Sequence, residues 1–456
     1  MLTGIEIDGF KTFLDFKVSL TPFKVIIGAN GVGKSNLFDA LNLLANLAET
    51  DMRTAFLNVR GEAGELFSMT PAGVPVSSMR FAVDLFVDRH VRDEWGSEAE
   101  LKYTRMRYEL EIARGADEQG MERFYVKRES LRAIHRQDDR WLKCLGDRKS
   151  AWLPRLKGGR NAPFISTEEE GGVATLYLHQ DGRSGRKATV AEKAERTVLS
   201  GVLNTEFPHA FAAREEMRAW KRLQLNPEVL REPSSMVSPQ TLGADGSFLS
   251  STLARLRAEG LLEDISADLN YLVPEIDGID VEPDTVQNRY LIQARTRDGR
   301  TFSSRVLSDG TLRLLALITL KHDPRHHGVL CFEEPENGVH PQRLKSMVHE
   351  ALRPLATDFA RDDPQAPLRQ LLVNTHSPVL AQALTVEEEM LFATMVSRMS
   401  RGKGMRVTRM YPVNPSPQLR MELDIAPQVA AYTLGEVLRY LEAADPRQSL
   451  EQLRQT

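Results

Sequence analysis

Cysteine is scarce in this chain: Cys144 and Cys331 are the two cysteines among 456 residues, and they lie far apart in the sequence. Such a pair provides neither a disulfide framework nor a CxxC metal site, so we expect both thiols to be reduced. Long apolar runs are missing too, because no segment reaches the ~18 consecutive apolar residues of a membrane-spanning helix. The sequence also begins without the cationic and apolar pattern of a signal peptide. We therefore expect a cytoplasmic protein with no membrane partner.

Neither sign of charge dominates, since 59 Lys and Arg oppose 63 Asp and Glu for a formal net charge of −4. This balance argues against a surface that wraps nucleic acid as a whole, although it allows a local basic patch. The hydrophobic fraction of 41% is high enough for a large core and excludes disorder as the main state. The sequence shows no internal repeat, and the absence of sustained heptads excludes a long coiled coil.

A strand, a glycine loop and a helix follow one another near the start of the sequence. Residues 4–27 read as three short strands, of which the last ends in the apolar run Val25–Ile27. The loop Gly28–Ser35 matches GxxxxGK[ST], and Asn36–Leu47 carries apolar residues at helical spacing. A strand before the loop and a helix after it are the context that supports a phosphate-binding loop.

The chemistry of such a loop assigns roles to its residues. Gly28, Gly31 and Gly33 let backbone N–H groups turn inward around a polyphosphate at the helix N-terminus. Lys34 reaches the β- and γ-phosphate oxygens, and the Ser35 hydroxyl ligates Mg²⁺. The sequence therefore predicts ATP and Mg²⁺ as cofactors.

An acidic pair follows a second apolar strand, Val329–Phe332. Taken alone, two glutamates after a strand are more often a solvated strand end. Beside a phosphate site, Glu333 would serve the metal shell and Glu334 would orient or deprotonate the attacking water.

Two further motifs flank the acidic pair. Ser308, Asp309 and Gly310 open a helix and so combine a hydroxyl, a close backbone and a helix dipole directed at an anion. His376 follows a strand that ends near Asn374, where an imidazole can contact a γ-phosphate. Each motif is weak evidence when taken alone, and a single histidine is more often an ordinary partly buried residue. The prediction therefore depends on the order in which the motifs occur together.

In this order, the motifs resemble the heads of ABC-type ATPases of the RecF/OLD/SMC-like branch, which are often described as AAA-family ATPases in prokaryotes. The likeness lies in IEIDGFKTF, in VIIGANGVGKSN, in EEPENGVHP and in NTHSP, and it covers about 1–90 and 276–395. It implies an α/β fold: a mixed sheet with flanking helices, an antiparallel sheet and a largely helical insertion.

The resemblance also implies further site residues. Asn30 and Asn36 would lie at the nucleotide, Lys11 near it, and Glu336–Gly338 would form the D-loop. Ser308, Asp309 and Gly310 would be the signature that acts on the ATP of a partner subunit, which predicts a homodimer or a higher homo-oligomer. Lys34, Glu334 and His376 would be catalytic.

This chain departs from the family pattern at two points. Glu333 replaces the usual Walker B aspartate and is one methylene longer. A glutamine-loop residue is not evident, and residues 60–66 are where we would expect it.

The motifs divide the chain into four predicted parts. Residues 1–135 form a first lobe with antiparallel strands, and 136–275 form an insertion that is mostly helical, with loops over 136–190. Residues 276–395 form a second lobe, and 396–456 form a C-terminal extension. Apolar residues between 429 and 441 give the extension a helical face that packs either on the head or on a partner.

The order of motifs leaves two functions open. The segment after His376 lacks the Asp-x-Asp of a Toprim nuclease, so we expect this chain to have no nuclease of its own. Its build resembles the stand-alone ATPase subunits of antiphage defence systems, and this resemblance implies an ATPase switch that controls a separate nuclease or toxin. The alternative is a RecF-like ATPase that binds DNA in repair. A scaffold that does not hydrolyse ATP is disfavoured, because Lys34, Glu334 and His376 are all present.

Two basic runs are candidates for DNA contact. Residues 136–160 interleave Trp141 and Trp152 with arginines and lysines, and 398–409 carry five basic residues without an acid. Phosphate contacts and an aromatic platform would suit nucleic acid. The alternative is a solvated surface whose tryptophans pack on the body of the protein.

Overall fold

The computed structural model describes residues 1–116, 120–154, 162–170, 173–180, 186–191, 194–384, 389–400, 403–413 and 432–442. The strands in these ranges are β1 (Leu2–Asp8), β2 (Phe16–Ser19), β3 (Phe23–Ile27), β4 (Ser78–Phe86), β5 (His90–Arg92), β6 (Glu98–Glu100), β7 (Arg105–Ala116), β8 (Glu122–Ala133), β9 (Ile165–Glu170), β10 (Val173–His179), β11 (Arg186–Val190), β12 (Lys221–Leu223), β13 (Ser234–Ser235), β14 (Ile276–Asp284), β15 (Arg289–Thr296), β16 (Thr301–Ser303), β17 (Gly328–Glu333), β18 (Arg369–Thr375), β19 (Met390–Ser400) and β20 (Lys403–Pro412).

The helices of the same ranges are α1 (Lys34–Leu47), α2 (Met52–Leu57), α3 (Lys149–Trp152), α4 (Pro208–Arg218), α5 (Pro227–Arg231), α6 (Leu249–Ala258), α7 (Leu262–Leu272), α8 (Asp309–His322), α9 (Leu344–Ser346), α10 (Pro378–Ala383) and α11 (Leu434–Glu442). Short 3₁₀ turns lie at Ala63–Leu66, Arg140–Arg148, Leu199–Gly201, Ser304–Val306, Pro341–Arg343 and Arg353–Leu355, and a π-helical turn spans Met347–Leu352.

Eight antiparallel strands form the larger sheet, in the order β11-β10-β9-β8-β7-β4-β1-β2. Its strands alternate buried apolar and exposed polar residues, as expected of a sheet with one solvated face. The buried face and helix α1 share one hydrophobic core, to which Ile5, Phe81, Leu110 and Leu41 belong. The antiparallel strands expected within residues 1–135 include β4, β7 and β8.

The prediction of loops over 136–190 is wrong for residues 165–170, 173–179 and 186–190. Strands β9, β10 and β11 extend the antiparallel sheet there, with Leu178 paired to Ile165 and to Lys187. The expected mostly helical insertion therefore begins with strands of the main sheet, and its longer helices start at Pro208. The strands were hard to predict because β9 carries the run Glu168–Glu170, which is poor in the β-branched and aromatic residues typical of strands.

The second large sheet has the order β12-β17-β18-β3-β19-β20. Its first five strands run parallel, whereas β20 returns antiparallel to β19. Strand β3 is buried along its whole length, as expected of a parallel strand covered on both faces. The carboxyl ends of β12, β17, β18 and β3 consequently meet at one edge of the sheet.

A second hydrophobic core covers one face of this six-stranded sheet. Helix α8 contributes its apolar residues to that core, together with α6, α7 and the small sheet β13-β15-β14. None of the helices in the described ranges is long and apolar enough to cross a membrane.

The C-terminal helix α11 packs on the head. Val437 is fully buried in the second core, and Leu434, Leu438 and Leu441 are partly buried against it. Of the two packing modes expected for this apolar face, the described residues therefore adopt packing on the head. Val429, which belongs to the same pattern, lies outside the described residues.

Candidate nucleotide site

The glycine loop is held tightly between β3 and α1. Gly33 has φ 93°, a left-handed conformation that favours glycine, and a Cβ at this position would lie 2.1 Å from Thr408 Oγ1. The Thr408 hydroxyl donates to the carbonyl of Val32 at 2.8 Å. Strand β20 thus supports the loop from one side, and Gly33 cannot be replaced without displacing that support.

The tip of the loop is open, in contrast to its base. Gly31 is exposed, and a Cβ added there would meet no atom of the described residues within 4 Å. Its φ of 79° nevertheless lies in the region that favours glycine. Backbone conformation, and not close packing, therefore accounts for glycine at this position. The contact of Gly31 with a polyphosphate, expected from the motif, stays a prediction.

Lys34 is buried beneath the loop, with 7% of its surface exposed. Its ammonium donates to the carbonyl oxygens of Gly28 and Ala29 at 2.6 and 2.8 Å. Burial lowers the pKa of Lys34 to about 8, against the opposing effect of Glu334 and other nearby carboxylates. Because desolvation disfavours the charged form, an anion beside this ammonium would be stabilised more strongly than at the surface.

Ser35 and the end of β17 face each other. The Ser35 hydroxyl lies 3.3 Å from Glu333 Oε2, and the side-chain amide of Asn374 donates to Ser35 Oγ at 3.5 Å. Hydroxyl and carboxylate oxygens are ligands that Mg²⁺ prefers. The predicted metal residues Ser35 and Glu333 are therefore neighbours.

Glu334 is held by two partners at the same edge. Its Oε1 lies 3.0 Å from His376 Nδ1, and its Oε2 accepts from the Asn337 amide at 2.9 Å. The backbone of Glu334 has φ 47°, a conformation that is uncommon for residues other than glycine and that concentrates at functional sites. The backbone N–H of Glu334 donates to Asn374 at 2.9 Å, which fixes this turn to β18.

A third carboxylate, Glu336, lies in the same turn. It accepts a hydrogen bond from the Thr375 hydroxyl at 2.5 Å, and burial raises the pKa of Glu336 despite that bond. The negative charges of Glu333, Glu334 and Glu336 all act to raise the pKa of Lys34. The acidic turn and the glycine loop are therefore coupled electrostatically.

Asp39 of helix α1 forms a second charged cluster behind the loop. Its side chain is 1% exposed and forms ion pairs with Lys11 at 2.6 Å, with Arg60 at 3.0 Å and with Arg222 at 2.9 Å. The other guanidinium nitrogen of Arg222 lies 2.8 Å from Glu333 Oε1. One buried carboxylate thus gathers three cations next to the predicted phosphate site.

The signature segment lies against the end of the acidic turn at Gly338. Ser308 caps helix α8, since its hydroxyl accepts from the backbone N–H of Thr311 at 3.2 Å. A Cβ on Gly310 would lie 2.4 Å from the carbonyl oxygen of Gly338, so glycine allows the close approach of this turn. Asp309 pairs with Arg231 at 2.5 Å.

These residues fit ATP and Mg²⁺. The glycine loop, the Lys34 ammonium and the N-terminus of the 14-residue helix α1 provide donors and positive charge for phosphates. The described residues hold no cluster of three His, Cys, Asp or Glu side chains that would form a metal site by itself. A single carboxylate with a serine hydroxyl is nevertheless typical of Mg²⁺ bound together with a nucleotide.

Two family models match the chain. The model described as "AAA ATPase domain" matches residues 1–121, which contain the glycine loop. The model described as "AAA domain, putative AbiEii toxin, Type IV TA system" matches residues 203–381, which contain the signature, the acidic turn and His376. Together with the motifs and their geometry, these two models support a P-loop ATPase of the ABC type.

Three of the solved structures that are similar to this chain are heads of SMC proteins. The SMC head bound to the C-winged helix domain of ScpA has 13% identity and a TM-score of 0.47, over 89% of this chain and 97% of that chain. The head domain from Thermotoga maritima has 13% identity and a TM-score of 0.37, over 91% and 99%. The head with an extended coiled coil bound to the C-terminal domain of ScpA, derived from Pyrococcus furiosus, has 10% identity and a TM-score of 0.45, over 89% and 96%.

Because these TM-scores lie below 0.5, the assignment to the ABC-type ATPases depends on the motifs, their geometry and the two family models. No curated protein matches the sequence.

The site residues predicted from sequence fall into two groups in this structure. The buried base of the glycine loop, the acidic pair and His376 meet at one edge of the parallel sheet. Ser308 and Asp309 instead contact Thr311 and Arg231, and Gly310 lies against the turn at Gly338.

Three predicted nucleotide contacts of the loop region lie apart from this meeting point. Asn30 and Gly31 form the exposed tip of the loop. The side-chain amide of Asn36 donates to the Thr12 hydroxyl at 2.8 Å. This hydrogen bond stabilises the residues around the loop. The structure thus brings none of these three residues to the acidic pair, and their contacts with nucleotide stay predictions.

Sequence reasoning missed two residues at this site. Asp39 is buried in a helix that reads as simply amphipathic, and Arg222 lies on the three-residue strand β12, so neither belongs to a motif. Residues 60–66 contain no glutamine.

The first basic run does not present an aromatic platform for DNA. Trp141 and Trp152 are 8% and 6% exposed and belong to a third small core with Phe359. The indole of Trp141 donates to Leu20 at 2.7 Å, and that of Trp152 donates to Phe359 at 3.1 Å. Of the two interpretations of this run, the structure therefore supports tryptophans that pack on the body of the protein, and the part of the run at 155–160 lies outside the described residues.

The second basic run forms part of the β19–β20 hairpin. Arg409 is half-buried and donates to the carbonyl of Leu14 at 2.9 Å, and burial lowers its pKa. Arg398 lies 3.9 Å from Asp15. These two arginines thus link the hairpin to the turn before β2, whereas Arg401 lies outside the described residues.

Proposed function

We propose that the chain is a Mg²⁺-dependent ATP hydrolase. The observation that carries this proposal is the position of Glu334, which is held by His376 and Asn337 beside the loop of Lys34 and Ser35. A carboxylate fixed next to a phosphate site is the group that accepts a proton from an attacking water.

Each residue of the site contributes a separate step. Lys34 neutralises charge on the phosphates, and Ser35 with Glu333 holds Mg²⁺, which when bound neutralises charge on the β- and γ-phosphate oxygens. Glu334 orients the water and takes its proton, and His376 keeps the Glu334 carboxylate in place.

Release of phosphate from ATP with and without Mg²⁺ tests this function. Hydrolysis should stop in EDTA, and Lys34→Ala should abolish nucleotide binding because the buried cation is lost. Hydrolysis that survived Lys34→Ala would assign the activity to a contaminant or to another site.

We further propose that two copies form composite sites, each with the Ser308–Gly310 segment of one copy at the ATP of the other. The proposal is supported by the contacts of this segment, which lead away from the glycine loop of its own chain. The family resemblance implies the same arrangement.

Mixing two inactive variants tests the composite site. Ser308→Arg removes the signature and Glu334→Gln removes the base, so each alone should be inactive. A mixed dimer, however, contains one site with both an intact Glu334 and an intact Ser308. Mixing should therefore restore up to about one quarter of the wild-type rate, whereas independent sites in each chain would give no recovery.

For the biological role, we propose an ATP-driven switch in antiphage defence that controls a separate nuclease or toxin. The model that matches residues 203–381 carries the description of a putative AbiEii toxin of a type IV toxin–antitoxin system, which supports defence over the RecF-like alternative. Loss of phage protection on Lys34→Ala, in cells that carry the neighbouring genes, would support this role. Unchanged protection, together with sensitivity to DNA damage in the variant, would favour repair.

A further inference from the structure

The side chain of Glu333 needs a contact that fixes the position of its carboxylate, and the structure shows one. It stands where ABC-type sites have an aspartate, and its additional methylene gives the carboxylate one more rotatable bond. A longer side chain loses more rotamer entropy when it is fixed. Without a second contact, the Glu333 carboxylate would sample positions away from Ser35.

Arg222 supplies that second contact. Its Nη2 lies 2.8 Å from Glu333 Oε1, while Oε2 of the same carboxylate faces the Ser35 hydroxyl at 3.3 Å. Strand β12 pairs in parallel with β17, and Arg222 is opposite Cys331. Since side chains two residues apart share a face of a strand, Arg222 and Glu333 lie on the same face.

Arg222 is itself anchored from behind. Its Nη1 lies 2.9 Å from Asp39 Oδ1, and the Asp39 side chain is 1% exposed. The planar guanidinium can contact two carboxylates with different nitrogens, which the single ammonium of a lysine does less well. The series Asp39, Arg222 and Glu333 thus connects helix α1, edge strand β12 and the end of β17.

We propose that Arg222 is a positioning residue that fixes the Glu333 carboxylate beside Ser35, so that a glutamate can take the place of aspartate in the Mg²⁺ shell. This inference rests on the proposed ATPase function. It assigns to Arg222 a role in the Mg²⁺ response of the site, and not in phosphate binding as such.

Binding of a fluorescent, non-hydrolysable ATP analogue to the full chain tests the proposal, with Mg²⁺ titrated from zero. In Arg222→Gln, the Mg²⁺ concentration for half-maximal enhancement should rise about tenfold, while affinity in EDTA changes less than twofold. Adding Glu333→Asp to this variant should restore at least half of the loss on a logarithmic scale, because the shorter carboxylate does not need the clamp.

A matched control is available in Arg255, which also joins two carboxylates. It pairs with Glu259 at 2.9 Å and with Asp323 at 2.7 Å, at the opposite end of α8 from Ser308. Arg255→Gln should lower the melting temperature and leave the Mg²⁺ response unchanged. If Arg222→Gln does not fold, Arg222→Lys serves in its place and should give an intermediate shift.

Several outcomes would overturn the inference. One is a wild-type Mg²⁺ response in Arg222→Gln or Arg222→Lys, and another is an equal loss of affinity with and without Mg²⁺. Failure of Glu333→Asp to restore the response would also overturn it. Absence of analogue binding in the wild type would instead refute the proposed ATPase function, and this inference with it.

Discussion

The carboxyl edge of the six-stranded sheet and the segment from 136 to 154 both combine charged side chains with neighbouring apolar residues, but the two regions use them differently. At the sheet edge, Glu334 and His376 remain partly exposed and face each other across two strands. In the 136–154 segment, Asp139 is 4% exposed and pairs with buried Arg105, whose guanidinium lies 4.9 Å from the centre of the Trp141 ring.

The two regions differ in how far their charged side chains are accessible to solvent. Charged groups at the sheet edge remain accessible to solvent and therefore to a ligand. The charged groups of the second region are buried and paired with each other, so they are not accessible to a ligand. Substitutions at the sheet edge should accordingly change catalysis with little effect on stability. Substitutions in the second region should lower stability with little effect on catalysis.

The largest effect is expected for Glu334→Gln. The amide keeps the shape of the carboxylate but cannot accept the proton of water, so the rate of hydrolysis should fall about 10³-fold with ATP affinity retained. Glu263→Gln, at an exposed position of α7, is the control and should hydrolyse at the wild-type rate. Wild-type turnover in Glu334→Gln would show that another group is the base.

A smaller effect, on stability alone, is expected for Asp139→Ala. The variant leaves the Arg105 guanidinium buried without its carboxylate, which typically costs about 3–5 kcal/mol. Urea unfolding measures the loss. Glu98→Ala, which breaks an exposed pair with Arg92 at 3.8 Å, should cost less than about 1 kcal/mol. Equal losses in the two variants would contradict the contrast between the regions.

The smallest effect concerns the buried Glu129 of β8. It accepts hydrogen bonds from the backbone N–H groups of Val198 and Leu199 at 2.6 and 2.9 Å, and burial raises its pKa from 4.5 to about 7. The folded state therefore holds a proton that the unfolded chain releases between these values. Stability from this group is complete below pH about 4.5 and is lost as the pH rises through about 7.

Unfolding by urea at several pH values measures this dependence. Between pH 5.5 and 8, the wild type should lose about 2 kcal/mol more stability than Glu129→Gln, whose amide does not titrate. Parallel pH profiles for the two proteins would mean that Glu129 is ionised in the folded state throughout.

The sequence was sufficient for the features that local patterns encode. Strand β3, its glycine loop and helix α1 follow from periodicity and glycine positions, and the ends of β17 and β18 follow from apolar runs that stop at polar residues. Parallel strands bring such ends together at one edge, so the convergence of Glu334 and His376 was predictable as well.

Features that depend on contacts distant in sequence were not predictable. Asp39 and Arg222 are far apart in the sequence, and their pairing needs the position of β12 beside β17. The roles of the tryptophans at 141 and 152 stayed open because composition does not reveal that Phe359 packs against both rings.

The position of β3 has a consequence for the order of events during protein synthesis. This strand lies between β18 and β19, which begin at residues 369 and 390, and the loop after it is supported by Thr408. At roughly 5–20 residues per second, a ribosome completes the glycine loop tens of seconds before these neighbours emerge. The nascent chain therefore cannot assemble its nucleotide site until more than 400 residues have been made, so a truncated product would carry the loop without its framework.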